Sequence, residues 1–324
     1  QRTMAEHTDI DWQAWRPAVI YINGAYHCIL NIRERGNENN IATNYGLEDI
    51  DLIENGELKE GTSDFYDAFT EFYQEKGHTL EEYAKWIDVD EYINVMAMNL
   101  YFCNLDFPGN NNVMWRPRTE DGRWRWIVKD VDYALGLYNR AASHNILKQY
   151  YSPTSKEYND ISFSITEPAT RLFRNMMEDP DFQREMIDRL SIYMGDFLNE
   201  KGVRAIWDPM YNLLMGEWKR HRDAVYNNPW WPNYDDELRS SRNWLSQRTA
   251  EMYKHIGSQF SLGSPIPLTI NVENSEEDLV GLTFNDVPLT KNSFDGKFYF
   301  TRAIRLENNI SRSEERRVGK ECRS

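Results

Sequence analysis

From Arg16 to Arg35 the chain twice alternates apolar and polar positions, R-P-A-V-I-Y-I and then A-Y-H-C-I-L-N-I-R-E-R, with Asn23-Gly24 between them. A period of two is a strand pattern, and Asn-Gly is the strongest short hairpin signal because such a turn needs positive φ. The second strand ends on Arg33-Glu34-Arg35, three charges that read either as a solvated strand end or as a phosphate clamp with an acidic partner. Residues 36–61 are polar and turn-rich around one apolar run, Ile50 to Ile53. The period then lengthens. Phe65, Phe69, Phe72 and Tyr73 share one helical face behind Ser63, a capping residue. Asp88 and Glu91 have capping-box spacing and open a further helix. Its stripe of Tyr92, Ile93, Met96, Ala97 and Leu100 marks core rather than a cofactor box. Residues 1–16 read as the end of a polar or helical segment that continues upstream.

The helix after Asp88 runs directly into N-L-D-F-P-G-N-N-N-V-M-W-R, residues 104–116. Val113 to Arg116 and Arg123 to Val128 both alternate, with Asp121-Gly122 between them as the turn of a hairpin. The second strand empties into K-D-V-D-Y-A-L-G. Residues 137–168 have few periodic apolar positions and read as a long connection, a lid or a substrate platform. Residues 169–257 read as almost continuous helix, restarted at Pro180 behind an Asp cap and broken by N-N-P-W-W-P before Leu238. From Gly263 the runs shorten to L-T-I-N-V, L-V-G-L-T-F-N and K-F-Y-F, the start of a β module too short to close its own core. The expected class is α+β. The main body spans 1–263, with a β-rich N-terminal part and a large helical C-terminal half; a partial β module occupies 264–310. The highly charged residues 311–324 read as a non-native extension and are set aside.

Composition narrows the function. The 324-residue chain carries a formal charge of −15, which argues against a nucleic-acid partner, since phosphates are neutralised by a basic face. Aromatic residues at 14% exclude a disordered chain. The three cysteines form no disulfide framework and no zinc spacing, and no apolar run is long enough to span a bilayer. No nucleophile elbow, P-loop or dinucleotide fingerprint occurs. His221, one turn from Glu217, reads as a helix-surface histidine.

The chemistry concentrates at Asp106, Asn111, Asp130 and Asp132. Asp106 and Asn111 have the D-x4-N spacing of a kinase catalytic loop, although Asn104-Leu105 precede the Asp where that loop has His-Arg. A hairpin returns the chain to its origin, so Asp130 and Asp132 are expected beside Asp106 and Asn111. Carboxylates gathered in one place repel unless a cation joins them. In the phosphoryl-transfer reading, Asp106 orients the acceptor hydroxyl, while Asn111 and Asp130 hold Mg²⁺. Asp132 holds a second ion or orders the first, and Arg33 and Arg35, with Glu34 beside them, offset phosphate charge. Three other readings stay open. Asp106 is also a plausible Asx-turn carboxylate; Asp130-Val-Asp132 is also the D-x-D pattern of metal-dependent glycosyltransferases; and the chain could be an inert surface binding module.

Five segments together resemble the CotH (spore coat protein H) kinase family, specifically secreted members of the Bacteroidetes type. They are R-P-A-V-I-Y-I-N-G-A-Y-H-C-I-L-N-I-R-E-R, N-Y-G-L-E-D-I-D-L-I-E-N-G, N-L-D-F-P-G-N-N-N-V-M-W-R, G-R-W-R-W-I-V-K-D-V-D-Y-A-L-G and E-W-K-R-H, between residues 17 and 257. The resemblance implies an atypical protein-kinase-like fold over residues 1–263, with its first strands absent. It also implies transfer of ATP phosphate to serines of partner proteins, with Mg²⁺ or Mn²⁺. By the same resemblance Asp106 matches the catalytic aspartate, Asn111 the metal-side amide and Asp130 the metal aspartate with Asp132 beside it. Arg33 and Glu34 match the charged hairpin end near the phosphates. Secreted or surface proteins are the implied substrates, and the implied location is extracellular or at the cell surface.

Overall fold

The computed structural model describes residues 1–137, 140–155, 164–225, 234–272 and 281–308. The N-N-P-W-W-P turn, part of the 137–168 connection and the 311–324 extension lie outside the described residues. The chain opens with a short helix, α1 (Arg2–Ala5), and a two-residue strand, β1 (Asp11–Trp12). A hairpin of β2 (Trp15–Ile22) and β3 (Ala25–Arg33) follows. Asn23 and Gly24 have φ of 52° and 80°, the conformation expected of this turn. Next come α2 (Glu38–Tyr45), β4 (Ile50–Glu54), β5 (Glu57–Glu60), α3 (Asp64–Gln74), α4 (Leu80–Tyr83) and α5 (Val89–Phe102). The second predicted hairpin is β6 (Asn112–Pro117) and β7 (Arg125–Val128).

The helical half contains α6 (Ile146–Tyr151), α7 (Arg171–Met176), α8 (Pro180–Asp196), α9 (Glu200–Val225) and α10 (Tyr234–Gln259). Asp179 caps α8 by accepting from the backbone of Asp181 and Phe182, as the Asp-Pro signal implies. The connection after residue 137 is thus not featureless, because α6 buries Ile146, Leu147 and Tyr150 within it. The module after Gly263 comprises β8 (Ile266–Asn271), β9 (Leu282–Phe284), β10 (Val287–Pro288), β11 (Ser293–Phe298) and β12 (Leu306–Asn308). The expected K-F-Y-F strand is shifted, since β11 ends at Phe298. Gly296 sets that register: a Cβ there would meet the Gly195 Cα of α8 at 2.6 Å, so β11 lies flat on the helix. Phe284, Phe294 and Phe298 join the core of the helical half, and the module closes against α8 rather than alone.

The site is positioned by a five-stranded sheet of order β1-β7-β6-β4-β5. All its pairs are antiparallel except β1 with β7. Residues 1–16 therefore do more than end a helix, because Asp11 and Trp12 add an edge strand. A two-residue strand carries no periodicity to read. Both faces of its β4, β6 and β7 strands are buried, while β5 is exposed. Ile53, Met114, Trp126 and Val128 face α5 and the main core. Ile50, Leu52, Val113, Trp115 and Ile127 face Ile41 of α2.

Three local expectations change. The turn between β6 and β7 is wider than Asp121-Gly122, because the Arg116 guanidinium fills it. That group donates to the Gly122 and Thr119 carbonyls at 3.2 and 2.7 Å and pairs with buried Asp51 at 2.7 Å. Glu91 does not close a capping box; fully buried, it accepts from the Trp126 backbone N–H at 3.2 Å and joins α5 to β7. His221 is not a surface histidine. It is buried, and its Nδ1 accepts from the Ile29 N–H at 2.9 Å, tying α9 to β3.

Candidate active site

Helix α5 is apolar on nearly every face and is buried from Glu91 to Phe102. It ends where Cys103 takes a left-handed conformation, φ 55°. The buried Asn104 then orders the loop: its amide donates to Asn99 Oδ1 at 2.8 Å, and its oxygen accepts from the Asp106 N–H at 3.1 Å. Two backbone bonds lace this loop to the second acidic segment, Leu105 N to Tyr133 O at 3.1 Å and Leu135 N to Phe102 O at 3.0 Å.

Register brings the other side in. Asn112 pairs with Val128, so Asn111 and Asp130 leave the hairpin beside one another. The Asn111 amide donates to Asp106 Oδ2 at 2.7 Å and to the Asp130 backbone carbonyl at 3.4 Å. Asn110 gives a second bond to the same Asp106 oxygen at 2.8 Å. The remaining Asp106 oxygen, Oδ1, accepts from the Ser164 hydroxyl at 2.7 Å. Four non-glycine residues between Cys103 and Leu135 have positive φ: Cys103, Asn111, Asp130, at 23°, and Leu135. Such backbone costs about 1–3 kcal/mol per residue and concentrates where geometry serves function.

Electrostatics point the same way. Partial desolvation, the neighbouring Asp130 charge and hydrogen bond, and the Asp106 charge together push the Asp132 carboxyl above the usual carboxylate range. Asp132 therefore lies near enough to Asp130 and Asp106 to feel their charge. Among the described residues no group of three or more His, Cys, Asp or Glu side chains has a metal-cluster arrangement. That does not count against Mg²⁺, which takes one or two carboxylates and fills its shell with phosphate oxygens and water. Asp130, Asp132 and the Asn111 amide are the side chains here that could offer oxygens to such an ion, and a cation among them would relieve the repulsion that raises Asp132.

The charged end of the first hairpin is less closely joined to this cluster. Glu34 Oε2 accepts from the Ala14 N–H at 2.9 Å, closing the strand crossing locally. Arg33 and Arg35 are exposed. The segment runs beside β7: a Cβ on Gly36 would meet Ile127 Cγ2 at 3.1 Å, three residues before Asp130. Residues missed by sequence reasoning are Asn104, Asn110, Ser164 and Lys129, which pairs with Glu54 immediately before Asp130. The run of three asparagines was the available signal for Asn110. An apolar cavity of about 240 Å³ lies behind the acidic segment, lined by Met98, Phe102, Val131, Leu135, Trp207 and Met210 among others.

Comparison with known proteins gives one family. Residues 3–252 match the family model described as CotH kinase protein. No curated protein matches the chain.

Proposed function

Taking as premise that the chain belongs to the CotH kinase protein family, we propose that it transfers the γ-phosphoryl group of ATP to serine hydroxyls of partner proteins. The observation that carries this reading is the Asn111 amide, which bridges Asp106 Oδ2 and the Asp130 carbonyl and so joins the D-x4-N loop to the second acidic segment. Asp106, fixed by Asn110 and Asn111, orients the acceptor hydroxyl through Oδ1 and receives its proton. Asn111, Asp130 and Asp132 would hold Mg²⁺ or Mn²⁺. When bound, that ion neutralises charge on the phosphates. Arg33 and Arg35 offset further phosphate charge from the hairpin side. Much of the acceleration comes from positioning and charge neutralisation rather than covalent chemistry. The partner proteins are secreted or displayed at the cell surface, where this chain also resides.

The test supplies labelled ATP and labelled UDP-sugars side by side to wild type and Asp130→Ala, with Mg²⁺ or Mn²⁺ and dephosphorylated casein as acceptor. Phosphate transfer by wild type alone supports the proposal. Sugar transfer, or equal phosphate transfer by a folded Asp130→Ala variant, overturns it.

A further inference from the structure

We propose that Ser164 is itself a phosphoryl acceptor, seated at Asp106 where the serine of a partner protein would be seated. The proposal rests on the kinase reading above and adds an assigned modification site to it. Three observations support it. First, Asp106 is polarised in use: both asparagine amides occupy Oδ2, and Oδ1 receives the Ser164 hydroxyl at 2.7 Å, within general-base reach. Second, the contact is long-range, 58 residues apart in the chain, and belongs to no helix or sheet ladder. Third, the loop is built to admit this segment. A Cβ on Gly109 would meet the Ser164 carbonyl oxygen at 2.1 Å, so only glycine lets the two backbones approach. Beyond Ser164 the segment is anchored, since Glu167 pairs with Arg171 and Arg174 at 2.7 Å each and Thr166 O accepts from Thr170.

The step balances with ATP as donor. Ser164 Oγ forms a bond to the γ-phosphorus, and the bond from that phosphorus to the bridging oxygen of the β-phosphate breaks. ADP leaves, and the hydroxyl proton passes to Asp106 Oδ1 and on to water. The product is a phosphoserine dianion against Asp106, with Asp130 and Asp132 close by. Like-charge repulsion then breaks the contact between the Ser164 side chain and Asp106.

The full chain is incubated with γ-labelled ATP and Mg²⁺ or Mn²⁺, with and without dephosphorylated casein, and the products are mapped by mass spectrometry. Phosphate on the residue 164 peptide is expected in wild type. Ser164→Thr, which keeps an acceptor hydroxyl, should also carry it. Ser164→Ala should lose this label, and Asp106→Asn should lower it roughly 10²-fold or more. Casein phosphorylation by a wild type that never carries phosphate at Ser164 overturns the acceptor role while leaving the kinase reading intact; Ser164 is then only a tether for Asp106. Self-incorporation undiminished in Ser164→Ala overturns it equally. No transfer to either acceptor removes the kinase reading and this proposal together.

Discussion

Replacing Arg248 by methionine should cripple the site from a distance. Arg248 lies in α10, is fully buried, and forms no salt bridge with a carboxylate among the described residues. Its guanidinium instead donates to four backbone carbonyls: Tyr101 at 2.6 Å, Leu100 at 2.7 Å, Ala142 at 2.7 Å and His144 at 3.0 Å. Leu100 and Tyr101 form the last turn of α5, the negative pole of that helix, where a cation is favoured. Burial pushes Arg248 down from its usual value, yet an arginine so placed keeps its charge. Charge-assisted bonds contribute about 1.5–3 kcal/mol each, so four amount to roughly 6–12 kcal/mol. Desolvating the guanidinium offsets several kcal/mol of that. A net loss of about 3–5 kcal/mol is therefore expected, which for a chain of this length lowers Tm by roughly 4–7 °C. Arg248→Lys, which has a point charge but no planar fork, should fall between. Phosphoryl transfer measured well below Tm should also drop, because the released α5 terminus leads directly into Asn104 and Asp106. Calorimetry showing a loss under about 1 kcal/mol would refute the clamp argument.

Asp130→Asn should trade function for stability. It removes a charge that raises Asp132, but Asp132 is exposed, so solvent screening limits the gain to about 0.5–1 kcal/mol at pH 7 in metal-free buffer. Because the raised carboxyl lies above its unfolded value, wild type loses stability as pH rises through the folded pKa. The advantage of the variant should therefore vanish on acidification, as urea titrations at two pH values will show. His255, held at Ser143 O, is depressed to about 4 by burial and by Arg248. Its stabilising contribution is present above about pH 6.5 and is lost as pH falls towards 4, by at most about 3 kcal/mol. His255→Gln should flatten the stability profile across that window. Burial raises Glu91 well above the usual range, against the pull of Arg125. Glu91→Gln should therefore stabilise the fold at pH 8 and lose that advantage near pH 4.5; a variant less stable at pH 8 would contradict this.

The parts that were legible in sequence are those set by local rules. Asn23-Gly24 fixes its own turn, and the alternation on both sides of residues 113–128 brings Asn111 to Asp130 once the strands pair. The D-x4-N spacing marks Asp106 and Asn111 because both lie on one short loop. Ser164 shares the run I-S-F-S-I-T with two other hydroxyl residues, and nothing in that run singles it out for Asp106, 58 residues away in the chain. Arg248 and His221 sit in long helices, where a polar residue ordinarily reads as solvent-facing; their burial depends on the carbonyls and the strand N–H that meet them. Glu91 lies on the helix its spacing from Asp88 implies, yet its partner is a strand backbone that no helix rule anticipates.

Calorimetric titration of ATP with Mg²⁺ into the full chain tests the central arrangement most directly. Wild type should bind saturably only when both nucleotide and metal are present, and Asp130→Asn should abolish that binding while remaining folded. Heat that is independent of the metal, or unchanged affinity in Asp130→Asn, would contradict the proposed nucleotide-metal site at Asn111, Asp130 and Asp132.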